Sequence, residues 1–213
     1  MSKTKKLIIA CDGESASGKS TAARLISKKY KLLLINSGLL YRYCSKLIIN
    51  YKPKNIISFL RKKIKKTSYN IISKQKLHSE EISNHVAILA KNKQVRAIVN
   101  QLQMKIIKGN KRICVEGRDI ASKILSKNPK YDVAFYFKCN LDEAAYRRWL
   151  DLKKSVKLNE VKKSLRKRTY LDKKRKNSPL IKVRDAILIR TDKLNKKQVL
   201  NKMSKEIIKV LKN

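Results

Sequence analysis

The sequence predicts an α/β fold, a three-layer α/β/α arrangement built on a mostly parallel five-stranded sheet. Three observations lead there. Short apolar runs alternate with helix-period segments along most of the 213 residues. The first run breaks into a glycine-rich loop that opens a helix. Strand, helix and strand in that order imply a parallel pair joined by a crossover. The length and a hydrophobic content of 42% suit one packed domain of residues 1–213 with a small insertion.

Lys6–Asp12 reads as a buried strand carrying Ile8 and Ile9 and bounded by Gly13. Lys19–Lys28 reads as a helix with Ala22, Ala23, Leu25 and Ile26 inward. Leu32–Ile35 is a second strand and Ser37–Ile49 a second helix. The rhythm breaks over Lys52–Leu77, a basic stretch without one clear period, expected as a small subdomain with a short hairpin after a helix. It recovers at Ser79-Glu80-Glu81-Ile82, a hydroxyl cap followed by an acidic first turn. Lys93–Lys108 continues as an amphipathic helix. Arg112–Glu116, Asp132–Phe137 and Ala186–Ile189 complete five strands, separated by helical patterns at Asp119–Leu125, Leu141–Leu152 and Asn159–Arg175. Lys196–Leu211 closes the chain as a helix. No internal repeat is visible.

Lysine and arginine number 55 against 15 acidic residues, a formal charge of +40. A nucleic-acid partner would use such an excess, because a basic surface releases counterions from a phosphate backbone. The charge is spread over the whole length, however, and Lys, Ile and Asn are abundant together, so compositional drift is the favoured source. Cys11, Cys44, Cys114 and Cys139 show no C-x-x-C pair and read as small core hydrophobes rather than a zinc site. No apolar run reaches the ~20 residues of a membrane span. The N-terminus lacks a signal-peptide layout, its apolar stretch running straight into the glycine loop. The expectation is a cytoplasmic protein with no membrane partner.

Gly13-Glu-Ser-Ala-Ser-Gly18-Lys19-Ser20 satisfies G-x-x-x-x-G-K-[ST] between a predicted strand and a predicted helix, the context that gives this pattern meaning. Backbone N–H groups of Ser15, Ala16, Ser17, Gly18 and the following helix start, with Thr21, would surround an anion. Gly13 and Gly18 let the backbone come close. Lys19 would reach the outer phosphates, and the Ser20 hydroxyl would ligate Mg²⁺. The loop therefore reads as an ATP site. Transfer between two anionic groups then needs charge neutralisation more than a base, and arginine forks suit that better than lysines. Arginines that could serve fall at Arg42, Arg96, Arg118, Arg147-Arg148, Arg168 and Arg175.

These segments carry a family resemblance. "GESASGKST", "INSGLLYR", "VEGRDIAS" and "RTYLDKKRKNSPL…VRDA" resemble bacterial cytidylate kinases, of the nucleoside monophosphate kinase group of P-loop kinases, in order and spacing from Leu7 to about Thr191. The resemblance implies transfer of the γ-phosphoryl of ATP to CMP or dCMP with Mg²⁺. It implies that Ser37, Arg42, Arg118 and Arg175 sit near the acceptor phosphate and that Arg96 and Asp119 face the cytosine. Arg168 and Asp172 would hold the ribose, and Arg147 and Arg148 would belong to a mobile lid. Lys19, Arg118, Arg147 and Arg148 are the expected catalytic set. An acceptor-binding subdomain is expected over about 50–108 and lid and acceptor-binding helices over about 147–176. Independently, Arg168, Asp172 and Arg175 fall on one face if helical.

The chain also departs from the family pattern. Asn36 stands where an acidic residue precedes Ser-Gly, and Ala87 where a base-contacting serine is usual. His78 replaces a basic position, Ala121 a glycine, Arg190-Thr191 the usual Asp-Thr, and Glu14 a common loop proline. A lost base contact is worth on the order of 1 kcal/mol and bears on base selectivity rather than on phosphoryl transfer. His78 and His85 read as ordinary helix or surface residues. Two alternatives stand: a broader UMP/CMP kinase, and a basic ATP-binding protein that holds nucleic acid. With 6% aromatic residues and no RNA-recognition signature, no specific nucleic-acid partner is expected. The expected form is a monomer acting on small-molecule substrates.

Overall fold

The computed structural model describes residues 5–77 and 79–212, and all their side chains except those of Glu80, Asn84 and Ala87. His78 lies outside the described residues, as does the Ala87 side chain. The chain divides into two compact units, Met1–Ile35 with Lys111–Asn213 and, separately, Asn36–Asn110. The subdomain expected over about 50–108 falls within the second of these ranges.

The first unit carries the sheet, whose strands are β1 (Leu7–Gly13), β2 (Leu33–Asn36), β3 (Arg112–Gly117), β4 (Val133–Lys138) and β5 (Ile187–Arg190). Their order is β2-β3-β1-β4-β5. β1 pairs in parallel with β3 and with β4, and β4 with β5. β1 lies between two strands and is buried along its whole length, so it reads as one apolar run rather than an alternating one. Helices α1 (Lys19–Tyr30) and α9 (Lys196–Lys212) cover one face. Ala22, Ala23 and Ile26 of α1 and Val199, Met203 and Ile207 of α9 pack there with Leu7, Ile9, Cys11, Phe135 and Phe137. Cys11, Cys44, Cys114 and Cys139 are all buried free thiols.

The second unit holds α2 (Ser37–Tyr51), α3 (Ile56–Lys65), α4 (Tyr69–Ser73), α5 (Glu80–Leu89) and α6 (Lys93–Lys108) around its own core. The hairpin expected in Lys52–Leu77 is replaced by α3 and α4. Asn55 and Ser68 start these helices by accepting from Ser58 N–H and Ile71 N–H. Leu60 and Ile64, four apart, bury one stripe of α3, a helical spacing that the run Arg61-Lys62-Lys63 between them obscures. Ser79 caps α5 through Ile82 N–H at 3.2 Å, as its hydroxyl and acidic first turn predict.

Two further helices, α7 (Leu141–Asp151) and α8 (Leu158–Lys174), return to the first unit and enclose a small cluster of Cys139, Ala144, Ala145, Val161 and Leu165. The helix expected over Asp119–Leu125 is instead a π-helical turn, Ile120–Ile124. Among the described residues no helix is long and apolar enough to cross a membrane.

Candidate active site

The glycine loop leaves the carboxyl end of β1, the edge of an open α/β sheet where ligands bind. Gly13 packs so closely on β4 that a Cβ would run into the Phe137 carbonyl. The loop turns through left-handed backbone at Ala16 (φ 55°) and Gly18 (φ 74°). Three bonds fix its shape. Glu14 N–H donates to the Phe137 carbonyl at 3.1 Å, Ser17 Oγ to the Glu14 carbonyl at 2.9 Å, and Thr191 Oγ1 to the Ser17 carbonyl at 3.0 Å. Gly18 opens α1 without a side-chain cap. The first-turn N–H groups of α1, from Lys19 to Thr21, thus face the loop with no intrahelical acceptor, the arrangement an anion requires. Ser15 and Ser17 are buried, while Ser20 is exposed.

Lys19 is almost wholly buried, and its Nζ lies 3.6 Å from Glu116 Oε2 at the end of β3. Burial, and then the neighbouring Arg118, lower its pKa to about 8, against an opposing pull from Glu116 and Asp12. Asp12, the last side chain before the loop, is itself buried. Its carboxylate accepts from Ile120 N–H at 2.9 Å and Ala121 N–H at 2.8 Å, which ties the π-helical turn to β1. Burial lifts the Asp12 pKa to about 6, with the two backbone bonds opposing.

The strand register sets Asp12 of β1 opposite Gly117 of β3, so the "GRD" segment emerges beside the glycine loop. Arg118 Nη2 donates to Ser15 Oγ at 3.4 Å, and its Nε donates to Asp172 Oδ2 at 2.9 Å. Arg175 reaches Asp119 at 3.3 Å and Asp172 at 3.6 Å. Two guanidinium forks and two carboxylates thus alternate around one spot, all under a fifth exposed. Helix α8 stops at Lys174, and Arg175 has extended backbone (ψ 136°), so the expected single helical face is corrected. Arg175 belongs to the group through its long side chain, not through helical register. Arg168 is exposed on α8.

Arg147 and Arg148 on α7 diverge. Arg147 binds Glu143 Oε1 at 2.6 Å and the Thr191 carbonyl at 3.0 Å, whereas Arg148 is exposed. The other three predicted residues lie in the second unit. Ser37 Oγ donates to Gln103 Oε1 at 3.2 Å, in a buried pair. Arg42 Nη1 donates to Ser83 Oγ at 2.8 Å and to the Leu77 carbonyl at 3.2 Å. Arg96 is buried, lies over the Tyr41 ring at 5.7 Å and donates to the Ala90 carbonyl at 3.4 Å.

Sequence reasoning passed over Asp12, Glu116 and Gln103. Asp12 and Glu116 are polar residues in apolar runs read as strands, and buried polar residues need partners; that was the available signal, whereas Gln103 sits in an amphipathic helix and gave none. It also left Glu14 without an account, and the structure pairs it with Lys173 of α8 at 2.6 Å.

The cytidylate kinase family model matches residues 9–209. A cytidylate kinase of Fusobacterium nucleatum subsp. nucleatum is 34% identical over 96% of this chain and 98% of its own length. One of Mesomycoplasma hyopneumoniae is 33% identical over 96% and 95%. Among solved structures, an uncharacterized protein of Eubacterium ventriosum superposes with a TM-score of 0.57 at 17% identity, covering 95% of this chain and 98% of that one, a likeness of fold. Sequence likeness over nearly the whole length, a glycine-rich loop on the expected strand and two arginines beside it converge on one assignment: the chain belongs to the cytidylate kinase family of nucleoside monophosphate kinases.

Proposed function

We propose that the protein transfers the γ-phosphoryl group of ATP to CMP and dCMP, with Mg²⁺, giving the diphosphates. The observation that carries this reading is the position of Arg118. Its guanidinium touches Ser15 of the glycine loop on one side and Asp172 of α8 on the other. A fork between a donor loop and an acceptor-side carboxylate is suited to neutralise charge on a group passing between them.

In this reading Gly13 and residues Ser15 to Thr21 wrap the donor phosphates, and Lys19 neutralises the outer ones. Arg118 and Arg175 clamp the acceptor phosphate, Asp119 faces the base, and Asp172 and Arg168 hold the ribose hydroxyls. For Ser37 and Arg42, contact with the acceptor phosphate, and for Arg96, contact with the base, rest on the family pattern. Arg147 and Arg148 belong to a lid that closes over the transferring group and excludes water, within the lid and acceptor-binding helices of about 147–176. The acceptor oxygen of CMP is already anionic, so no side chain has to remove a proton.

The residues present fit the metal. Mg²⁺ keeps most of its waters and takes one or two protein oxygens plus substrate phosphates. The exposed Ser20 hydroxyl in the first turn of α1 offers such a ligand, and the buried Glu116 carboxylate adds negative charge beside the neighbouring Lys19, 3.6 Å from its Nζ. Bound there, the ion would supply charge neutralisation on the transferring phosphates. We place the enzyme in the cytoplasm, acting as a monomer.

The test is a coupled assay of CMP, dCMP, UMP and AMP with MgATP. CMP and dCMP should be the best acceptors. AMP turnover equal to or above that of CMP would overturn the pyrimidine assignment, and equal UMP turnover would move it to a broader pyrimidine kinase.

A further inference from the structure

We infer that Lys173 is a positioning residue for the phosphate donor, its ammonium neutralising a carboxylate that this chain carries inside its own glycine loop. The inference rests on the donor reading given above. Glu14 directly follows Gly13 in a loop whose chemistry is to gather N–H donors around an anion. A carboxylate there opposes the ligand, and the more so as water is excluded from it. The Glu14 side chain is only 13% exposed. The backbone that carries it is fixed within the loop, its N–H held by the Phe137 carbonyl and its own carbonyl by the Ser17 hydroxyl.

The counter-charge comes from 159 residues along the chain. Lys173 Nζ donates to Glu14 Oε1 at 2.6 Å. Lys173 follows Asp172 on α8, and adjacent helical side chains diverge by about 100°. Asp172 therefore meets Arg118 while Lys173 meets the loop. Three successive loop residues are engaged from this side: Glu14 by Lys173, Ser15 by Arg118 with Asp172 behind it, and Ala16 by the apolar cluster between α7 and α8. Lys173 thus sets the charge of the donor loop from the helix whose Asp172 serves the acceptor side.

An ordinary surface ion pair contributes little, and a mechanical tie would act alike whichever partner were removed. Charge neutralisation makes a different demand, that the two single variants act unequally and the double variant recovers. The experiment is steady-state kinetics on the full chain, with MgATP varied at saturating CMP and CMP varied at saturating MgATP. Lys173→Met should raise the KM for MgATP roughly three- to tenfold, with the KM for CMP within about twofold of the parent. Glu14→Gln should not raise the KM for MgATP. Lys173→Arg should match the parent, and Glu14→Gln with Lys173→Met should return the KM for MgATP to the parental value. An unchanged KM for MgATP in Lys173→Met overturns the inference. So does a double variant as impaired as Lys173→Met, and so do single variants that raise both KM values alike. If the parent itself fails to phosphorylate CMP from MgATP, the donor reading falls and this inference with it. Parental turnover with an indifferent Lys173→Met removes the neutralising role alone.

Discussion

Lys19 stands under opposing influences: burial and Arg118 disfavour its charge, while Glu116 and Asp12 favour it, and the balance lowers its pKa from the ordinary 10.5 to about 8. The sign of the linkage follows. Between about 8 and 10.5 the unfolded chain binds the Lys19 proton and the folded one does not, so stability from this group rises with pH across that window. Below it the buried ammonium costs up to roughly 3 kcal/mol. Donor phosphates would reverse the balance by adding negative charge beside the ammonium. Binding of MgATP near pH 8.5 should then take up part of a proton, up to about three-quarters of one. Calorimetric titration in two buffers of different ionisation enthalpy measures that uptake. Lys19→Arg, whose guanidinium stays charged, should bind without it, and the same uptake in that variant would contradict the assignment. Lys19→Ala should abolish turnover while its circular dichroism stays native.

At the scale of elements, the π-helical turn after β3 directly follows Arg118 and Asp119, the two residues proposed to serve the acceptor. Its hydrogen bonds run from Ile124 N–H to the Asp119 carbonyl and from Leu125 N–H to the Ile120 carbonyl, five residues back. Such turns are rare and concentrate at functional sites. Here the Asp12 carboxylate holds the first two amides, and so fixes where Arg118 and Asp119 leave the sheet. Asp12→Asn keeps the shape but turns one acceptor into a donor facing an N–H. It should cost about 1–3 kcal/mol in urea unfolding and raise the KM for CMP more than that for MgATP; an equal rise in both would argue against a positioning role. Arg175→Ala should likewise harm use of the acceptor, by at least about tenfold in KM for CMP, if one bidentate fork to phosphate is lost. An effect confined to MgATP would refute that role. Most of this frame was legible in the sequence: β1, the loop and α1 announce themselves by an apolar run, two glycines and a helical period. The π-helical turn was not, because Asp119–Leu125 has the composition of an α-helix and the Asp12 carboxylate that holds its first two amides lies more than a hundred residues away. Nor were the pairs Arg118–Asp172 and Glu14–Lys173 legible, at separations of 54 and 159 residues. A pairing of that kind leaves no periodicity, and 55 basic residues offer every carboxylate many candidate partners. The hairpin expected in Lys52–Leu77 failed for a related reason, since lysines between Leu60 and Ile64 hid the spacing that α3 buries.

For the molecule as a whole, a formal charge of +40 on 213 residues is the dominant physical fact. Carboxylates are few, and those at the candidate site are already committed: Glu116 to Lys19, Asp172 and Asp119 to Arg118 and Arg175, Glu14 to Lys173. The remaining lysines repel one another, and compaction brings them closer than they are in the unfolded chain. Mobile ions should relieve that strain, because the screening length falls from about 30 Å at 0.01 M salt to about 8 Å at 0.15 M. The buried pairs at the site should be screened much less. Raising potassium chloride from about 0.01 M to 0.15 M should therefore raise the Tm; relief of ~2 kcal/mol corresponds to roughly 4–8 °C for a chain of this size. Choosing chloride keeps the effect apart from that of sulfate or phosphate, which strengthen apolar burial and would occupy an anion site directly. The comparison that isolates the cause is a variant in which four exposed lysines of α8 and α9, Lys163, Lys167, Lys202 and Lys205, become glutamine. That variant should be more stable than the parent at low salt and indistinguishable from it in 0.5 M chloride. A Tm independent of chloride, or a variant that gains equally at both concentrations, would show that the excess charge is already neutralised within the fold.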